Sequence, residues 1–161
     1  MFIKPDINIK SIYDIDLKSL KKEGFKGILF DLDSTLMASK SGVYSDKILK
    51  WLEKVRKDFF IAVVSNNRNP NYIEKVKAVT DFPAVFDAKK PKTDVTLEFL
   101  KEYNIEPKNC VFVGDRPLTD IVCGKHLGCK TILVDSITAD TESLLVRFVR
   151  KLERLTVNPF C

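Results

Sequence analysis

The chain has 161 residues, 45% hydrophobic and 30% charged, with 27 Lys and Arg against 22 Asp and Glu for a net charge of +5. That is the size and composition of one globular domain with a real core; it excludes a wholly disordered chain, and six glycines and seven prolines exclude a collagen-like or low-complexity one. No apolar run approaches about 18 residues, so no transmembrane helix is expected, and Met1-Phe2-Ile3-Lys4-Pro5-Asp6 lacks the basic head and apolar stretch of a secretory leader.

Residues 1–26 read as an arm. It mixes Ile7, Ile9, Ile12 and Ile15 with Lys4, Lys10, Lys18 and Lys21. Such an arm either packs on the domain or faces an anionic membrane. Five short apolar runs follow: Gly27–Phe30, Phe59–Val64, Ala84–Phe86, Cys110–Val113 and Thr131–Val134. They are continuous rather than alternating, as in strands covered on both faces.

Helical patterns separate the runs. Ser45-Asp46 opens one that carries Ile48, Leu49, Trp51, Leu52 and Val55. Asn69-Pro70 caps a second, with Ile73, Val76 and Val79 as its apolar face. Val95, Phe99, Leu100 and Tyr103 mark a third, Leu118–His126 a fourth closed by Gly128, and Glu142–Leu155 a last one with Leu144, Leu145, Phe148, Val149 and Leu152. The alternation predicts an α/β three-layer sandwich with a mostly parallel central sheet, as one domain over 1–161. Residues 27–135 form its motif-bearing core, and 136–161 a C-terminal helix and tail.

Ligands of open parallel sheets bind beyond the carboxyl ends of the strands. The first run ends in Asp31-Leu32-Asp33-Ser34-Thr35, the second in Ser65-Asn66-Asn67. The third is followed by Asp87-Ala88-Lys89-Lys90-Pro91-Lys92, and the fourth by Gly114-Asp115-Arg116-Pro117-Leu118-Thr119-Asp120. Asp31 and Asp33, two apart on an extended segment, are predicted to face one way. With Asp115 they make a hard, oxygen-only cluster suited to Mg²⁺. One carboxylate can attack phosphorus, and another can protonate the leaving oxygen and then activate water. Ser65 and Asn66 are phosphoryl donors in this reading, and Lys90 neutralises developing charge. Cys110, Cys123, Cys129 and Cys161 have no paired metal-ligand spacing, and His126 is the one histidine, so zinc is not expected.

The four segments DLDSTL, VVSNN, KKPK and VGDRPLTD, in that order over residues 27–135, resemble the motifs of the haloacid dehalogenase-like phosphohydrolases. The resemblance implies that Asp31 is the nucleophile and Asp33 the general acid/base, which also offers its backbone carbonyl to Mg²⁺. It implies that Ser65 binds phosphate, that Lys90 is the motif lysine, that Asp115 binds metal, and that Asp120 supports the site. Lys89 and Lys92 lie near enough to compete for the lysine role.

From Asp31 to Ser65 is 34 residues and from Ser65 to Lys90 is 25, so neither gap has room for a large cap domain. An uncapped cleft suits a phosphate on something bulky. The arm and GDRPLTDI further resemble the YqeG-like, capless group, related to the mitochondrial phosphatidylglycerophosphate phosphatases. Ser34 stands where that group usually has Asn, and Cys123 where Gly is frequent. This implies hydrolysis of an anionic phospholipid, phosphatidylglycerophosphate, at a membrane surface. The expected setting is the cytoplasmic or organelle-matrix side, soluble or peripherally membrane-bound, with no nucleic acid and with oligomeric state open. Two alternatives keep the motifs. One is the same chemistry on a phosphoprotein, a nucleic-acid 3′-phosphate or an exposed sugar phosphate; the other is a non-catalytic interaction module. Arg116 and the cations Arg147, Arg150, Lys151 and Arg154 offer further anion-facing groups.

Overall fold

The five apolar runs form parallel strands in the computed structural model, which describes residues 3–137 and 144–157, without the side chains of Val146, Arg147 and Arg150. They are β2 (Gly27–Phe30), β3 (Phe60–Val64), β4 (Ala84–Val85), β5 (Cys110–Gly114) and β6 (Lys130–Leu133). A sixth strand, β1 (Ile7–Asn8), comes from the arm and pairs with Ile132 and Leu133. The sheet order is β1-β6-β5-β2-β3-β4, with every pairing parallel. This is the α/β architecture expected from the alternation.

The register brings the strand ends level. Phe30 pairs with Val63 on one side and Val113 on the other. The ladder continues one residue further: Asp31 N donates to Val113 O at 2.9 Å, and Ser65 N to Val85 O at 2.9 Å. Chain direction across the sheet reverses at β2, which has β5 on one side and β3 on the other. The rim above that point is where a ligand crevice forms in such sheets.

Helices cover both faces. Ile28, Phe30, Ile61, Val63, Val111 and Val113 meet α2 (Asp46–Arg56) through Ile48, Leu52 and Val55, and α3 (Pro70–Val79) through Val76. The arm adds Ile12, Ile15 and Leu20, the last on α1 (Leu17–Lys22). On the other face Leu29, Ala62, Val64 and Phe112 meet Phe99 and Leu100 of α4 (Asp94–Glu102). Cys123 and Leu127 of α5 (Val122–Leu127) complete that side. Successive strand residues point to opposite faces, so two packed faces require the continuous apolar runs.

Local signals explain the helix ends. Ser45 Oγ accepts from Ile48 N, and Asn69 Oδ1 accepts from Asn71 N and Tyr72 N. Gly128, at φ +86°, closes α5 in the left-handed region. Three expectations need correction. The stretch predicted as one helix from Leu118 begins as a wider π turn over Pro117–Ile121 before α5. Val79, predicted to be core, ends α3 and is exposed. The last helix, α6 (Leu144–Arg154), turns Leu144, Leu145, Phe148, Val149 and Leu152 outward; its predicted start at Glu142, and Cys161, lie outside the described residues. Among the described residues, no helix is long and apolar enough to cross a membrane.

Candidate active site

Asp31, Asp33, Ser65, Asn66, Lys90 and Arg116 line one cleft of about 200 Å³ above the β2 switch point. Each comes from the segment that follows a strand. Just past Asp33 the chain turns back on itself. Leu36 N bonds back to Leu32 O at 2.9 Å, and Ser34 adopts φ +71°. Both carboxylates line the cleft, with different partners. Asp31 faces Lys90 and Thr35. Asp33 Oδ1 instead accepts from the Tyr72 hydroxyl at 2.5 Å and from Lys40 N at 2.8 Å.

Lys90 is the hub. Its side chain is 1% exposed, whereas Lys89 and Lys92 are exposed. Burial thus separates the three lysines that spacing left in competition. Its Nζ donates to Asp31 Oδ1 and to Asp120 Oδ1, each at 2.8 Å. Burial alone would pull the ammonium down, but the charges of Asp120 and Asp31 outweigh it and hold Lys90 above its ordinary value. Asp120 is pushed up, first by burial and then by Asp31, against the pull of Lys90.

Two devices hold this lysine. Asn66 clips its main chain: Nδ2 donates to Lys90 O at 3.0 Å, and Oδ1 accepts from Lys90 N at 2.7 Å. One amide hydrogen of Asn66 remains for an oxygen in the cleft. Asp120 anchors the ammonium from the π turn, and its Oδ2 accepts from Arg116 N at 3.1 Å. Gly114 permits that approach, because a Cβ there would lie 2.4 Å from Asp120 Cβ and Cγ.

Ser65 is buried at the end of β3. Its Oγ accepts from Asn67 N at 3.1 Å, which leaves the hydroxyl hydrogen to donate. Asp115 is buried at the end of β5. Thr35 Oγ1 lies 3.1 Å from Asp115 Oδ1 and 3.4 Å from Asp31 Oδ2, spanning the two acids. Asp31, Asp115 and Asp120 each place a carboxylate oxygen within 4.8 Å of the others. Donors of this kind suit a hard cation. The Asp33 carboxylate is not in that group, which leaves its carbonyl as the route to a metal that the family resemblance implied.

Sequence reasoning missed Thr35 and Tyr72. The T of DLDSTL was a signal for Thr35 that went unused. Tyr72 carried none, because it sits one residue before the apolar face of α3.

A family model described as mitochondrial PGP phosphatase matches residues 1–138. The Bacillus subtilis protein named "Probable phosphatase YqeG" is 28% identical over 153 residues, 95% of this chain and 88% of that protein. The Arabidopsis thaliana phosphatidylglycerophosphate phosphatase 1, chloroplastic/mitochondrial, is 30% identical over 161 residues, 94% of this chain. The chain spans only 46% of that plant protein's length. Among solved structures, an uncharacterized Listeria monocytogenes protein has a TM-score of 0.55 at 16% identity, covering 80% of this chain and 99% of that one. A magnesium complex of a HAD family enzyme from Bacteroides thetaiotaomicron has a TM-score of 0.52 at 15% identity, covering 78% and 98%. These two likenesses establish the shared fold.

Proposed function

The chain belongs to the mitochondrial PGP phosphatase family, and from that premise we propose that it is a Mg²⁺-dependent phosphomonoesterase that releases phosphate from phosphatidylglycerophosphate. The observation that carries the reading is the buried Lys90 ammonium, 2.8 Å from an Asp31 carboxylate that opens on the cleft.

The chemistry follows from the groups around it. A phosphomonoester brings negative oxygens into the cleft, where Lys90 and Arg116 offset their charge and Ser65 donates a hydrogen bond. An Asp31 carboxylate oxygen attacks phosphorus, and the bond from phosphorus to the ester oxygen breaks. Protonated Asp33 gives its proton to that oxygen, so glycerol-side alcohol leaves and an aspartyl-phosphate remains. Asp33, now a carboxylate, takes a proton from water, whose oxygen attacks phosphorus. Inorganic phosphate leaves, and Asp31 regains its carboxylate. Tyr72, hydrogen-bonded to Asp33 Oδ1, fixes the direction from which that proton moves. Asp31 and Asp115, with the Asp33 carbonyl, would hold Mg²⁺, which supplies charge neutralisation at the transferring group.

The cleft is open and small, which suits a phosphate presented by a larger body rather than a metabolite enclosed by a lid. The test is phosphate release from phosphatidylglycerophosphate in mixed micelles, beside a panel of soluble phosphomonoesters. Turnover of the lipid that is preferred, magnesium-dependent, and lost with EDTA and in Asp31→Asn is the expected result. Turnover of soluble esters but not the lipid would discard the substrate and keep the chemistry. Equal turnover by wild type and Asp31→Asn would discard the mechanism.

A further inference from the structure

We infer that α6 is a membrane-docking helix, whose outward apolar face enters the interfacial layer of an anionic phospholipid bilayer and holds the cleft at that surface. The inference deepens the lipid-substrate reading and rests on it for what docking achieves.

The orientation of α6 is the reverse of an ordinary surface helix, which buries its apolar stripe. Leu144, Leu145, Phe148, Val149, Leu152 and Leu155 are between 40% and 81% exposed. At 3.6 residues per turn they fall within one arc of about 140°. Glu153 and Arg154 face the domain instead. Glu153 is buried, and its Oε2 accepts from Arg116 Nε at 3.0 Å and pairs with Arg116 NH2 at 2.9 Å. Arg154 donates to Val134 O at 2.6 Å and to Asp115 O at 3.3 Å. Just past the helix, Ile3 N donates to Thr156 O, and Ile3 bridges to Val157. The helix is therefore tied down on its polar side, with six large apolar side chains left facing out.

Such a contiguous stripe is unlike the scattered single apolar residues of ordinary surfaces. Charge identifies what covers it. Beyond Glu153 and Arg154, which are held on the domain side, the segment 144–155 carries Arg147, Arg150 and Lys151 and no further acid, and Lys151 is exposed. A cationic helix with Leu and Phe on one face is the composition of an interfacial helix drawn to anionic lipid. A second copy of the chain is a poorer partner: two-fold pairing of this face would set the same cation-rich helix against itself. The location fits as well. Arg116 lines the cleft with Asp31, Ser65 and Lys90, and it is the residue that Glu153 holds. A bilayer that seats α6 thus lies beside the mouth of the site.

The experiment is co-sedimentation of the full chain with phosphatidylcholine vesicles, with and without phosphatidylserine, which carries no phosphomonoester. Wild type should bind the phosphatidylserine vesicles more tightly, and that excess should shrink as salt is raised. Leu145→Glu/Phe148→Glu, at exposed positions, should lose about tenfold or more of the binding while keeping its turnover of p-nitrophenyl phosphate. Wild type remaining in the supernatant with both vesicles would overturn the proposal. So would a double variant that binds like wild type, or one that converts a wild-type dimer to monomer with vesicle binding unchanged. Vesicle binding without hydrolysis of phosphatidylglycerophosphate would remove the substrate reading and leave the docking helix standing.

Discussion

The Lys90 ammonium stands midway between two carboxylates, 2.8 Å from Asp31 Oδ1 and 2.8 Å from Asp120 Oδ1, and it does so almost wholly out of water. One contact faces the cleft and the other the interior. The same charge thus faces the cleft and compensates a buried acid that would otherwise be unpaired.

The two tasks separate by mutation. Lys90→Met leaves Asp120 buried without its counter-charge, and removing one partner of such a pair costs about 3–5 kcal/mol. Lys90→Met/Asp120→Asn removes that unpaired charge, so it should recover most of the lost stability in urea unfolding. It should not recover phosphate release, because the cleft still lacks its cation. A double variant with near wild-type turnover would mean that Lys90 is structural alone.

Gly114 is the backbone condition for this anchor. A methyl group there would meet Asp120 Cβ and Cγ at 2.4 Å, so something must shift. Gly114→Ala should destabilise the fold by roughly 1–3 kcal/mol, as overpacking does. It should also lower kcat, since it displaces the carboxylate that anchors Lys90. Urea unfolding and p-nitrophenyl phosphate turnover would read the two effects, and an unchanged kcat would show that Asp120 does not position the lysine.

Asp33 and Tyr72 test the proton route. Removing a general acid typically costs about 10²–10⁴-fold in rate. In single-turnover release of the leaving group, which precedes the water step, Asp33→Asn should fall in that range with an alkyl phosphate and lose much less with p-nitrophenyl phosphate, whose leaving group needs little protonation. Tyr72→Phe keeps Asp33 but removes the 2.5 Å hydrogen bond that orients it. It should show the same leaving-group dependence at a smaller amplitude, near tenfold, in keeping with one hydrogen bond to a charged group. Equal losses on both substrates in Asp33→Asn would exclude it as the proton donor.

These residues were unequally legible before the structure. Asp31, Ser65 and Asp115 were visible because each lies within two residues of the end of an apolar run, and runs buried on both faces announce parallel strands. Spacing alone did not single out the lysine; the Lys90-Pro91 pair favoured Lys90 only through the family resemblance, and burial, which depends on the loop's path, sets it apart from Lys89 and Lys92. The role of Asp120 hangs on a π turn and on Gly114, neither of which has periodicity to read. β1 is two residues long, too short for any pattern. The amphipathic pattern of α6 was plain from sequence, but which face meets the domain is decided by Glu153 and Arg154 finding partners on other segments.

The buried thiols predict how stability responds to alkali. Burial pushes Cys110 up to about 12 and Cys123 up to about 11, and it raises Cys129 as well, from an ordinary value of 9.0. Above pH 9 the unfolded chain releases these protons while the folded chain keeps them. The folded state then binds more protons, so stability is full below about pH 9 and falls as pH rises toward the folded values. Each thiol contributes a slope of about 1.4 kcal/mol per pH unit in that window. In a Cys161→Ser background, urea midpoints should be flat from about pH 7 to 8.5 and drop steeply between about 9 and 10, and Cys123→Ala should reduce the drop by about one third. A midpoint independent of pH across that window, or rapid reaction of the folded protein with a thiol reagent at neutral pH, would show that these three side chains are not held in the core.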